Sequence, residues 1–302
     1  MSFRYNVAKK ALASAGYKNL YSLSAEDMVN QVEAFNKKRK FKVPNDGKCE
    51  YSDIPVMEGK YHCLSMQKNK EHSEKAILYL YGGGLVLGPD ESDISTAKDF
   101  GRDCGQDVWF PYYPLCVNIC VLDAYEMVFD TYKKMINVYG AENITVLGFF
   151  SGAMLAIGLG LYNNAQGKIL PMPRRIIAVS PLCCPENEDQ YDEMLRLNDK
   201  DIMMEARFTK TIRELMRAGI EIPEYMYCGP KGNFSGMPEI NFWYGEDEVL
   251  SAMADAFADA CKAADVPYTM TIGEGMCHCY PQVTFFPEGK AAREKVCGQI
   301  KK

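Results

Sequence analysis

The chain has 302 residues, with 34 Lys and Arg against 40 Asp and Glu, a formal charge of −6. Hydrophobic residues make up 47% and charged residues 25%, the balance of a soluble globular protein rather than a disordered one. The acidic balance speaks against nucleic acid, and the longest apolar stretch, residues 147–162, is too short and too glycine-broken for the ~18–20 residues of a membrane span.

Apolar positions Phe3, Val7 and Leu12, then Met28, Val32 and Phe35, recur at helical spacing and predict two helices in the first 40 residues. Ser24 is the expected N-cap of the second. The N-terminus carries no apolar core of a secretory signal, and the run Lys37-Lys38-Arg39-Lys40 reads as a solvated helix end. After Pro44-Asn45-Asp46-Gly47 the pattern changes to short apolar runs at residues 77–81, 108–110, 144–148, 176–179 and 240–244. Amphipathic stretches at 95–104, 121–138, 152–163 and 251–264 separate them. Fully apolar strands alternating with helices predict an α/β fold with a mostly parallel sheet covered on both faces. Between about 185 and 232 the alternation fails. That segment predicts a helix over 201–217 followed by a loop, an insertion lying over the sheet. Met203, Met204, Phe208, Ile212, Leu215 and Met216 are expected as the buried face of the helix in this insertion.

Twelve cysteines are scattered without a CxxC pair, which predicts reduced thiols in a cytoplasmic protein. The pair Cys183-Cys184 and the triplet Cys277-His278-Cys279 lack the spacing of zinc sites, so no metal is expected. Nor is a cofactor implied, because Gly82-Gly83-Gly84 lacks the Lys-Ser/Thr of a nucleotide-binding loop.

In open α/β sheets, ligands bind beyond the carboxyl ends of strands, and three such places carry chemistry. Gly82-Gly83-Gly84 follows the run at 77–81 and lets backbone N–H groups converge without Cβ obstruction, as an oxyanion hole requires. Gly148-Phe149-Phe150-Ser151-Gly152 has the frame of a G-x-S-x-G nucleophile elbow, strand before and helix after. Its central position, however, is Phe150, and the serine follows one residue late. Glu246-Asp247-Glu248 and then His278 supply a carboxylate and a histidine in α/β-hydrolase order. Of the other histidines, His62 lies in a strand-like run and His72 in a charged loop, and neither adjoins these turns.

These motifs resemble those of the hormone-sensitive-lipase-type esterases of the α/β-hydrolase superfamily, from about residue 50 to the C-terminus. The family's His-Gly-Gly-Gly motif falls on Tyr81-Gly82-Gly83-Gly84, and its Gly-Asp-Ser-Ala-Gly elbow on 148–152. Its acid, two residues before a leucine, selects Glu248 ahead of Asp247. Its Gly-Met-x-His-x-x-Pro ending is matched at Gly275, Met276, His278 and Pro281. The resemblance implies that residues 1–48 and the insertion at about 185–232 form a two-part cap on a core spanning 49–302, and it implies oxyanion donors at the backbone N–H groups of Gly83, Gly84 and Ser151. It also implies Glu248 orienting His278, with Tyr81 and Phe149 as pocket walls and Phe150 in the nucleophile's place. A homodimer paired through edge elements is a further expectation of this fold.

Phenylalanine forms no acyl intermediate, and losing a nucleophile costs on the order of 10⁶ in rate. Ser151 is expected to begin the helix with its side chain turned away from His278. Three functions stay open: a carboxylic-ester hydrolase scaffold for small esters, disabled at Phe150; a non-hydrolytic binder or receptor of a small apolar ligand; and a lyase or dehydratase using His278 without covalent catalysis. A ring of Phe150 that blocks the pocket favours the first, and one that lines an open pocket the others.

Overall fold

A computed structural model describes residues 1–117 and 119–302. The N-terminal segment folds into α1 (Phe3–Ser14), α2 (Tyr17–Tyr21) and α3 (Ala25–Asn36), one helix more than its periodicity predicts. Gly16, at φ 80°, supplies the left-handed turn that separates the first two. Ser24 caps α3 as expected, its Oγ accepting the Asp27 N–H at 3.2 Å. The buried face of α1 differs from the expected one, since Tyr5 and Ala8 are inside while Phe3 and Val7 are exposed. Tyr5 is drawn in because its ring packs edge-on against Phe286 at 5.0 Å and its hydroxyl donates to the Gly275 carbonyl at 2.9 Å. Hydrophobic periodicity gives no weight to such a polar tip.

Then come β1 (Glu50–Val56), β2 (Tyr61–Gln67), β3 (Ala76–Leu80), α4 (Glu91–Cys104), β4 (Asp107–Pro111), α5 (Val121–Tyr139), β5 (Ile144–Phe149), α6 (Ser151–Ala165) and β6 (Arg175–Val179). The later elements are α7 (Glu188–Leu197), α8 (Phe208–Arg217), β7 (Glu239–Gly245), α9 (Ala254–Ala263), β8 (Tyr268–Gly273) and α10 (Pro287–Lys301). The eight strands form one sheet in the order β1-β2-β4-β3-β5-β6-β7-β8. β2 pairs antiparallel with both β1 and β4, and the pairings among β4, β3, β5, β6, β7 and β8 are all parallel. Strands β3, β4 and β5 are buried throughout, as their uninterrupted apolar runs require.

The two faces of β5 are covered differently. A Cβ on Gly148 would stand 2.3 Å from the Gly152 carbonyl of α6, whereas the next residue, Phe149, packs against Phe100 of α4. Helices α5 and α6 thus share one face, and α4 with α10 the other.

The 185–232 segment, expected to hold one helix over 201–217, carries two: α7 lies ahead of that span, and α8 begins only at Phe208. Asn187 caps α7 by accepting the Gln190 N–H at 3.0 Å. The buried Asp201 accepts the N–H groups of Met203 and Met204 at 2.8 and 3.0 Å. An Asp that satisfies the backbone two and three residues ahead competes with helix formation, which delays α8 to Phe208. The N-terminal helices meet this region directly: Thr211 donates to the Leu23 carbonyl at 3.1 Å, and the Tyr21 and Phe208 rings lie 4.5 Å apart. No described helix is long and apolar enough to cross a membrane.

Candidate active site

The site begins with a strained turn between β5 and α6. Phe150 stands at φ 51° and ψ −114°, a region that bulky residues rarely enter. The backbone holds it there. Its N–H donates to the Val179 carbonyl at 2.9 Å, and its own carbonyl accepts from Ala153, Met154 and Leu182 at 3.0–3.1 Å. The flanking glycines have steric reasons to be glycine, since a Cβ on Gly152 would meet the Leu80 carbonyl at 2.1 Å. The sharp strand–turn–helix geometry expected of an elbow is therefore present around an aromatic side chain.

His278 and Glu248 come together at the ends of β8 and β7. His278 Nδ1 lies 2.7 Å from Glu248 Oε2, and both residues are buried. Glu248 Oε1 also accepts the Gly245 N–H at 3.1 Å. Burial pushes the Glu248 carboxyl up, against the pull of His278. For His278, burial lowers the pKa, but the Cys279 thiol and Glu248 outweigh it and hold the imidazole well above its ordinary range. Asp247 is turned outward to Lys9, at 2.9 Å, so the carboxylate on the histidine is Glu248, the one selected by the sequence.

The Phe150 ring stands edge-on to His278 with centroids 4.6 Å apart, and Tyr21 and Phe208 close around it at 5.7 and 6.0 Å. Aromatic rings thus pack against the histidine on its Phe150 side. Gly84 faces the same cluster, since a Cβ there would come within 2.8 Å of Phe208 and 3.1 Å of Phe150. Among the described residues, the N–H groups of Gly83, Gly84 and Ser151 have no hydrogen-bond acceptor within the protein.

The other expected residues lie elsewhere. The Ser151 hydroxyl is fully buried without a hydrogen-bond partner, close enough to the Tyr113 phenol to oppose the effect of burial on it, and makes no bond to His278. Tyr81, expected as a pocket wall, stacks on Tyr113 at 4.2 Å, and its hydroxyl donates to the Tyr113 carbonyl at 3.3 Å. Phe149, expected as another wall, packs between Tyr79 and Phe100 in the core, because consecutive strand residues point to opposite faces. His62, beside the carboxyl end of β4, stacks on Phe41 at 4.3 Å, and His72 sits near Asp107 and Tyr139 at the opposite end of that strand, and neither bonds to Glu248 or His278. All twelve cysteines are free thiols, and no cluster of metal-ligating side chains occurs among the described residues.

Sequence inspection missed three contributors. Ser180, at φ 49°, accepts the Cys279 N–H at 3.0 Å and joins the end of β6 to the histidine loop. Asp201 accepts the Val249 N–H at 2.9 Å, tying the turn before α8 to the residue after Glu248. Tyr21 adds a ring to the cluster over Phe150. Only Asp201 left a readable trace, an Asp just ahead of Met203-Met204 that is able to cap a turn.

A parallel sheet with a strained elbow and a buried His–carboxylate pair at its strand ends defines an α/β hydrolase. The chain belongs to the family described as alpha/beta hydrolase fold, which matches residues 77–282. It is 24% identical over 230 residues to an esterase of Acinetobacter venetianus, covering 74% of each chain. It is 25% identical over 227 residues to an acetyl-hydrolase of Streptomyces hygroscopicus, covering 73% of each. An esterase of the bacterial hormone-sensitive lipase family superposes with a TM-score of 0.82 at 17% identity, over 100% of this chain and 98% of that one.

Proposed function

We propose that this chain is a carboxylic-ester hydrolase scaffold for small esters whose serine-dependent step is disabled at Phe150. In this reading Glu248 orients His278, His278 is the general base, and the N–H groups of Gly83, Gly84 and Ser151 are the donors for a developing oxyanion. Helices α1–α3 and the 185–232 insertion act as the cap over this centre. One observation carries the reading: the elbow geometry, the His278–Glu248 pair and the unpartnered N–H groups coexist with a nucleophile position that holds a benzyl group. A ring packed into the space before His278 favours a disabled hydrolase over a roomy binding pocket. The esterase and acetyl-hydrolase relatives support small esters as the substrate class.

The test compares the chain with Phe150→Ser on a short p-nitrophenyl ester at neutral pH. The variant is expected to exceed the parent by about 10³-fold or more, and His278→Gln in that background is expected to abolish the gain. Equal rates in the two proteins, both folded, would sink the reading.

A further inference from the structure

We propose that Cys279 is an acyl-accepting nucleophile served by His278 and Glu248, taking short acyl groups from activated esters in place of the hydroxyl absent at residue 150. This deepens the preceding reading and rests on its assignment of His278 as base and Glu248 as orienting acid.

Glu248 occupies Nδ1 of His278, which leaves Nε2 as the reactive nitrogen. The group facing Nε2 is the Cys279 thiol, with Sγ at 3.4 Å. That sulfur is also 3.9 Å from the Val179 carbonyl, the same oxygen that accepts the Phe150 N–H. The thiol therefore lies against the elbow backbone, on the nitrogen that a serine hydroxyl would otherwise engage. Its position is held locally. Cys279 adopts the left-handed φ 52° and ψ 29°, and its amide is anchored on Ser180 Oγ. A non-glycine residue kept in that region beside a histidine marks a site where conformation has been fixed against a cost.

Among the described residues, no other buried thiol lies within hydrogen-bond distance of a histidine ring. Burial pushes Cys261 up to about 12 and Cys277 up to about 11, as expected of inert sulfhydryls in apolar surroundings. Cysteine is also the side chain whose chemistry most nearly replaces serine on a histidine base.

The step balances without a co-reactant. The Cys279 thiol yields its proton to Nε2 while a sulfur lone pair forms an S–C bond to the ester carbonyl carbon. The tetrahedral adduct collapses by breaking the C–O bond to the alcohol, the leaving alkoxide takes the Nε2 proton, and a thioester remains on Sγ. Water deprotonated by the same nitrogen then adds to the thioester. The departing thiolate recovers that proton, releasing the carboxylic acid.

The probe is p-nitrophenyl acetate, added to the full chain at neutral pH, with acetylated peptides mapped by mass spectrometry and confirmed as thioesters by release with neutral hydroxylamine. Cys279 is expected to acetylate about 10²-fold faster than the partly exposed Cys49, Cys104 and Cys120, and His278→Gln or Glu248→Gln to remove most of that advantage. Circular dichroism checks that each variant is folded, and Cys279→Ala, which leaves no nucleophile at this position, is expected to lose the labelled peptide. Acetyl groups on the exposed thiols with Cys279 bare, or acetylation of Cys279 that both histidine-pair variants leave unchanged, overturns the proposal. The two readings fail separately. If Phe150→Ser turns over through His278 while Cys279 stays unacetylated, only the thiol assignment falls. If Cys279 acetylates and Phe150→Ser is inert, the elbow assignment falls instead.

Discussion

A benzyl side chain at φ 51° costs on the order of 1–3 kcal/mol of backbone strain, and the surroundings determine why it persists. Four backbone hydrogen bonds fix the Phe150 peptide from both sides, and Gly148 and Gly152 let strand and helix approach to within a backbone contact. The turn is thus specified by its neighbours and not by residue 150. Gly152→Ala tests this directly. With its Cβ placed 2.1 Å from the Leu80 carbonyl, the turn must open, and a loss of about 3 kcal/mol or more is expected in urea unfolding. A loss below 1 kcal/mol would show that the elbow is softer than its contacts imply.

The Cys279–His278 contact also has a consequence for pH. The thiol is one of the groups raising the His278 pKa, and a general base works only when deprotonated. In the Phe150→Ser background, the rate should therefore climb with pH as His278 loses its proton. Adding Cys279→Ala removes an influence that favours the imidazolium, so the acid limb of the kcat/KM profile is expected to move to lower pH. An unmoved or rising limb would mean that the thiol does not bear on the base.

Among the elements, the turn between α7 and α8 has a disproportionate role. Asp201 is almost fully buried and accepts three backbone N–H groups, those of Met203, Met204 and Val249, while Lys18 from α2 donates to its carbonyl at 2.7 Å. One residue thus joins the N-terminal helices through its carbonyl, and its side chain joins the insertion to the segment following Glu248. Asp201→Ala leaves those donors without an acceptor and is expected to cost about 2–4 kcal/mol, with faster amide exchange at Met203, Met204 and Val249. Exchange confined to residues 203–204, with Val249 still protected, would show that the turn does not support the Glu248 segment. This tie was invisible beforehand because its two ends are 48 residues apart. The apolar runs that became β3, β5 and β7, by contrast, were legible, since a strand buried on both faces must be apolar throughout.

At the scale of the whole molecule, the sequence disclosed features set by local spacing and hid those set by distant partners. The Gly148–Gly152 interval exposed the elbow, and the late acid and histidine exposed the Glu248–His278 pair. Neither spacing nor composition indicated that Phe208 would cover Gly84, that Ser151 would turn toward Tyr113, or that Cys279 would face the histidine beside it. Each depends on side-chain direction, which in Cys279 is fixed by a left-handed backbone held from β6. The N-terminal segment shows the same limit. Periodicity misplaces its buried face because Tyr5 answers to Gly275 and Phe286, near the other end of the chain.

That long-range anchoring makes the first 36 residues an integral part of the fold and not an appendage. Ser2 bonds Glu288, Lys9 pairs with Asp247, Tyr21 packs on Phe208 and Phe150, and Asn36 donates to the Val86 carbonyl at 2.8 Å. The ion pair is partly exposed and contributes little. The buried Tyr5, Tyr21, Met28 and Val32 contribute most, at about 1.5–3 kcal/mol for each large apolar side chain removed from water. Deleting residues 1–36 is therefore expected to lower the melting temperature by on the order of 10 °C or more. It should also raise binding of an apolar dye, as the rings of Phe150 and Phe208 lose their lid. The sheet, whose strands all begin at Glu50 or later, is expected to keep its far-ultraviolet signature. A shortened chain that melts like the parent and binds no dye would show that the aromatic cluster is sealed without these helices, and that the cap over His278 consists of the 185–232 insertion alone.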